Sequence, residues 1–198
     1  MKNIIVLLIL LSMTVFAQQK SSFTDSRDGK VYKTVKIGTQ IWLVENLNYD
    51  TNGSKCYEDN SDNCTKYGRL YDWNTALEVC PSGWYLPSES EWWDLMNAVG
   101  GAGGAGTKLK SKNGWDEEDE GKPNNGTDEF GFSALPGGNG DSDGSFSNVG
   151  AAGFFWTATA FPSTDDIAYS WCMYYGMALW GTSNKSLLYS IRCLQENH

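Results

Sequence analysis

The side chains best equipped for chemistry in this sequence are five cysteines, at positions 56, 64, 80, 172 and 193. In an oxidising compartment such thiols pair into disulfides, whereas in a reducing one they serve as metal ligands or nucleophiles. Cys56 and Cys64 flank the polar stretch 57–63, which has almost nothing apolar to bury, so a local clasp suits them. A second bridge is expected between Cys80 and Cys193, with Cys172 as the alternative partner of Cys193. The one histidine is His198. One imidazole at a terminus assembles neither a Ser-His-Asp triad, nor a Cys-His pair, nor a multi-histidine metal centre.

Two other groupings have the residue types for binding. Trp115-Asp116-Glu117-Glu118-Asp119-Glu120 joins a ring to a run of carboxylates, a set able to stack on a sugar or a cation while hydrogen-bonding polar groups. The alternative there is a solvated acidic loop with Trp115 in the core. Tyr174-Tyr175-Gly176 through Trp180 has the form of a hairpin tip, with Tyr175 and Trp180 as the rings expected outside. Asp141-Ser142-Asp143-Gly144 resembles the start of a calcium loop, but Ser145 and Ala152 stand where that loop needs an oxygen ligand and a glutamate, so a polar turn is expected. No metal, no cofactor and no catalytic residue is nominated. Carboxylates are plentiful enough for a glycosidase pair, but no pair is singled out.

Such groups need a scaffold and a compartment. Residues 1–17 carry Lys2, an apolar run over 4–11, and Val15 and Ala17 at the positions a signal peptidase reads, so they are expected to be a secretory signal. The apolar run is shorter than the roughly 20 residues a spanning helix needs, and no membrane span is expected once the signal is removed. Secretion to the periplasm, cell surface or medium follows, and with it stable disulfides. With 24 acidic against 15 basic residues in 198, a formal charge of -9, no nucleic-acid partner is expected because its phosphates repel the chain.

Polar residues 18–28 are expected to form a flexible leader, and residues 29–198 one domain. The runs 31–37 and 40–44 around Gly38-Thr39 predict a hairpin. Asp72 caps a short helix that Pro81 ends, and Ser88 with Glu91 forms a capping box opening a second helix whose Trp92, Leu95, Met96 and Val99 share one side. The glycine-rich stretch 100–106 is expected to be too flexible for a packed element, and 113–131 a long acidic loop. Short strands are expected over 132–135, 154–159, 167–175 and 187–194. Two helices followed by strands imply an α+β domain. Trp42, Trp73, Trp84, Trp92 and Trp156 are expected in the core with bonded indole N–H groups, and Arg69 and Arg192 paired with acids such as Glu91.

Several phrases, taken in order, resemble one family across nearly all of the chain after residue 28. They are Ile37-Gly38-Thr39-Gln40-Ile41-Trp42 with Glu45-Asn46-Leu47, Tyr67-Gly68-Arg69-Leu70-Tyr71-Asp72-Trp73, and Cys80-Pro81-Ser82-Gly83-Trp84-Tyr85-Leu86-Pro87 with Glu91-Trp92. Gly131-Phe132-Ser133-Ala134-Leu135-Pro136-Gly137-Gly138 and Ser190-Ile191-Arg192-Cys193 complete the set. The ordered set resembles the Fibrobacter succinogenes major paralogous domain, a group of secreted bacterial paralogues without an established common activity. The resemblance implies a C-type lectin-like fold, also seen in formylglycine-generating enzymes, with two helices flanking a small twisted antiparallel sheet and long loops. Tyr85 stands where relatives often carry histidine. Lys122-Pro123-Asn124 lacks the carboxylate that sugar-binding calcium lectins use, and no Trp-Asn-Asp stretch occurs. Formylglycine-generating relatives bind copper through a thiolate pair; Cys193 lies near the C-terminus as theirs do, but a disulfide consumes its thiolate. The expectation is a secreted, non-catalytic recognition domain for a polysaccharide or surface protein, with a structural envelope component as the alternative.

Overall fold

The computed structural model describes residues 20–117, 121 and 123–196. The signal segment 1–17 lies outside the described residues, as do Glu118, Asp119 and Glu120 of the acidic run and Lys122.

The chain is mostly β: among the described residues, twelve strands form three sheets. The first sheet holds β1 (Lys20–Thr24), β2 (Val31–Ile37), β3 (Gln40–Leu43), β12 (Leu194–Gln195) and β6 (Trp84–Tyr85), in that spatial order. The second holds β11 (Met177–Asn184), β10 (Ile167–Tyr174), β9 (Ala152–Ala160), β7 (Gly137–Gly140) and β8 (Phe146–Val149). A two-stranded ribbon joins β4 (Ser54–Lys55) to β5 (Leu70–Tyr71). The helices α1 (Ser61–Tyr67), α2 (Trp73–Glu78), α3 (Glu89–Ala98) and α4 (Ala102–Leu109) are short.

This overturns the expected α+β, C-type lectin-like plan of two helices flanking one small sheet. Two five-stranded sheets form the body. β4, β5, β6 and β12 are two residues each, too short to show a period of two, and β7 is Gly-Gly-Asn-Gly, with no alternation to read. The leader is also corrected. From Lys20 it is strand β1, paired antiparallel to β2, and Asp25 behind it is fully buried and salt-bridged to Arg27 at 2.6 Å. The hydrogen bonds from Arg27 hold the Asp25 carboxyl below its usual range.

The β2–β3 hairpin forms around Gly38, which sits at φ 60°. Asp72 accepts from the backbone N–H of Thr75 and starts α2; Ser88 and Glu91 form the capping box of α3. The α3 stripe of Trp92, Leu95 and Met96 is fully buried. The Trp92 ring lies 5.2 Å from Trp42, 5.5 Å from Phe155 and 5.9 Å from Trp171, centroid to centroid, joining the two sheets. Trp73 donates to the Thr157 carbonyl and Trp156 to that of Tyr71, as expected of core indoles. Trp92 differs: its N–H, like that of Trp171, is buried without a partner among the described residues, because rings surround it.

The arginines do not meet Glu91. Arg69 pairs with Asp50 at 2.6 Å, and Glu91 accepts instead from the Tyr85 hydroxyl at 2.5 Å. That hydroxyl is raised well above the usual phenol range, first by burial and then by this bond. Arg192 is fully buried; its guanidinium donates to Asn46 Oδ1 and to the carbonyls of Leu43, Phe132 and Ser133.

The glycine-rich stretch is the third correction. Residues 102–109 form α4, which lies on β11, and Gly106 is what permits the approach: a Cβ there would stand 2.4 Å from the Met177 carbonyl oxygen. Gly104 faces open space, with nothing within 4 Å of an added Cβ. The two glycines should therefore respond oppositely. Gly104→Ala should raise stability by about 0.5 kcal/mol through helix propensity, and Gly106→Ala should lower it by about 1–3 kcal/mol through overpacking. Urea denaturation of the two variants checks this, and equal shifts would show that α4 does not hold its place by close contact.

Candidate functional site

The ring-bearing face is built by β10 and β11. A two-residue turn at Tyr175 and Gly176 puts Tyr174 opposite Met177, and that register sets Trp171 opposite Trp180 and Tyr169 opposite Thr182 on one face. The core covers only the part of that face nearest the turn. Trp171, Met173 and Ala178 are buried, while Trp180 is 53% exposed and Tyr169 half-buried. Trp93, on the flank of α3, and Phe161, where β9 turns into β10, extend the line. The row runs Trp93, Trp180, Tyr169, Phe161, with centroids 6.3, 6.0 and 5.5 Å apart. Successive planes are inclined by 61°, 41° and 69°, so the rings brace one another at an angle rather than lying in one plane. The Trp93 indole N–H is fixed by Glu89 at 2.9 Å.

An open cleft of about 780 Å3 lies beyond the far end of the same strands. The amides of Asn52, Asn74 and Asn184 and the carboxylates of Asp72, Asp165 and Asp166 line it. The bond from Phe161 N–H to the Ile167 carbonyl closes the β9–β10 turn, which carries Asp165 and Asp166, and Ile167 pairs with Asn184. The ring row and the cleft wall thus share one turn. Lys185 N–H and Nζ bond the carbonyls of Asp166 and Asp165, and Nζ lies 4.2 Å from the centroid of the Trp73 ring, which fixes the wall.

The sequence marks Trp180 as an exposed ring and does not mark Trp93, Tyr169 or Phe161. The signal for Tyr169 was present: with Gly176 as a turn, the pairing follows, and Tyr169 shares a face with Trp180. Nothing in the sequence brings Phe161 or Trp93 to the same row, because a loop and a helix deliver them. Tyr175 is at the turn with φ 49°, its ring 4.1 Å from that of Tyr174 and its carbonyl accepting from Lys110. It stands apart from the row. Trp115 is buried, its N–H shared between Ser111 Oγ and the Ala134 carbonyl, and the Lys110 ammonium covers its ring at 4.1 Å. It offers no face to a ligand. Asp116 and Glu117 are exposed, with the Asp116 carboxylate lying against Gly150.

The disulfides are Cys56–Cys64 and Cys80–Cys193, the latter closing 113 residues of sequence. Cys172 is the free thiol, pushed up to about 12 by burial, which keeps it protonated at neutral pH. Asp141 to Ser145 form the polar tip of the β7–β8 hairpin. Among the described residues no group of three or more His, Cys, Asp or Glu is placed to hold a metal ion. No helix among them is long and apolar enough to cross a membrane.

The family model described as Fibrobacter succinogenes major domain matches residues 35–195. Neither the curated proteins nor the solved structures contain a match to this chain. The chain belongs to the Fibrobacter succinogenes major domain family, as its ordered phrases resembled.

Proposed function

We propose that this member of the Fibrobacter succinogenes major domain family is a secreted, non-catalytic recognition domain, and that it binds a surface polymer, a polysaccharide before a protein. The observation that supports the reading is the row of braced rings on β10 and β11, within which Trp180 is 53% exposed. Aromatic side chains on a rigid sheet present large apolar faces at little cost in conformational entropy, which is how binding hot spots are built. The two disulfides are compatible with life outside the cell. Cys193 is joined to Cys80 and so presents no thiolate for the copper chemistry of formylglycine-generating enzymes.

The test is retention of the purified domain on a panel of polysaccharides and cell surfaces, with Trp180→Ala beside it. The wild-type domain should bind at least one polymer without releasing product. Trp180→Ala should bind that polymer at least about tenfold more weakly while keeping its unfolding midpoint. Absence of binding throughout would favour a structural envelope component, and soluble product released from any polymer would overturn the non-catalytic reading.

A further inference from the structure

We infer that the binding face takes a single, uncharged polysaccharide chain, threaded along the ring row and on into the polar cleft, rather than a terminal sugar or the flat face of an ordered polymer. This rests on the ring row being the binding face. Three observations carry it. First, the rings are steeply inclined to one another, by 61°, 41° and 69°. A flat crystalline surface can meet only one such ring face-on, whereas a single chain, free to rotate about its glycosidic bonds, can present successive sugar faces to successive rings. Second, the row does not stop at Phe161: the turn that begins there supplies Asp165 and Asp166 to the cleft, and Asn184 enters it from β11. Amides and carboxylates are the donors and acceptors that hydroxyl groups need. Asn74 and Asp166 are exposed at the cleft, and neither side chain has a hydrogen bond or ion pair among the described residues, so both are available to a ligand.

Third, charge decides which polysaccharides qualify. The two lysines at the cleft are engaged within the protein, Lys55 by Asp59 at 3.6 Å and Lys185 by the Asp165 carbonyl and the Trp73 ring. Four carboxylates, those of Asp72, Asp141, Asp165 and Asp166, line the cleft against these two ammonium groups, so its local field is negative, in a chain that carries a formal charge of -9. A polyuronate or other acidic glycan would be repelled on approach. A neutral chain is not.

The probes are disaccharides and hexasaccharides of neutral glucan, mannan and xylan, with polygalacturonate as the acidic control and a crystalline polymer as the flat one. Each is titrated calorimetrically against the wild-type domain, Trp180→Ala and the double variant Asn74→Ala/Asp166→Ala. The hexasaccharide of one neutral polymer should bind at least about tenfold more tightly than its disaccharide. The double variant should lose that length advantage, and polygalacturonate should not bind. If the double variant keeps the wild-type hexasaccharide affinity, if both lengths bind equally, or if polygalacturonate or the crystalline polymer is preferred, the threaded-chain inference fails. In those cases a loss on Trp180→Ala leaves the recognition reading standing. If Trp180→Ala binds every ligand as the wild type does, both fall.

Discussion

Replacing Cys80 and Cys193 together with alanine is expected to lower stability by about 4.8 kcal/mol by the chain-entropy relation for a loop of this length. The bridge closes 113 residues of sequence, so its loss frees much of the unfolded chain at once. The same relation gives the Cys56–Cys64 clasp, with a separation of 8, only about 2.5 kcal/mol. Against the roughly 5–15 kcal/mol that a domain usually has in hand, loss of the long bridge removes a third of the stability or more. Urea denaturation of the two double variants, Cys80→Ala/Cys193→Ala and Cys56→Ala/Cys64→Ala, separates them. Cys193 is fully buried against the cluster of Leu43, Trp84 and Ile191, so the alanine variant also leaves a small void there. A loss no greater than that of the clasp variant would mean that the sheets, and not the bridge, limit the unfolded chain.

Arg192→Met is expected to destabilise by about 3–5 kcal/mol. Two effects oppose each other. A buried guanidinium is costly to desolvate, and burial pushes it down to about 9, so removing the charge relieves an unfavourable term. However, its oxygen partners stay behind. Three are backbone carbonyls, of Leu43, Phe132 and Ser133, which no substitution removes, and the fourth is the amide oxygen of the buried Asn46. Each becomes a buried acceptor without a donor, and several such penalties outweigh one desolvation relieved. The ring of Phe132, whose centroid is 4.6 Å from the guanidinium carbon, loses its cation as well. Arg192→Lys keeps the charge but not the planar fork that reaches all four oxygens, so it should fall between wild type and Arg192→Met. A Met variant within about 1 kcal/mol of wild type in chemical denaturation would show that the oxygens find water instead.

The parts of the fold that could be read in advance are those in which a local rule and the tertiary structure agree. Ser88 and Glu91 specify the start of α3 by themselves, and Gly38 specifies the β2–β3 turn. Spacing and the scarcity of apolar residues over 57–63 were enough to suggest the clasp. The failures have a common cause, which is that the deciding partner is remote in sequence. Residues 20–24 look like polar tail until β2 lies beside them, and 102–109 look like linker until Gly106 is seen against the Met177 carbonyl. Arg192 resembles an ion-pair residue, and only the convergence of residues 43, 46, 132 and 133 reveals oxygen atoms in place of a carboxylate. The candidate site follows the same division. Trp180 stands out on its own strand, whereas the row exists only because a helix, a hairpin and a turn bring four rings together.

The position of β12 governs the order in which this molecule can be made. Leu194 pairs with Trp42 on one side and Tyr85 on the other, so β3 and β6 touch only through a segment synthesised long after both. Until that segment is in place, the first sheet has a gap between β3 and β6. Any shortened product ending before Leu194 would lack the joint between its halves, and a cell would meet it as a substrate for proteolysis.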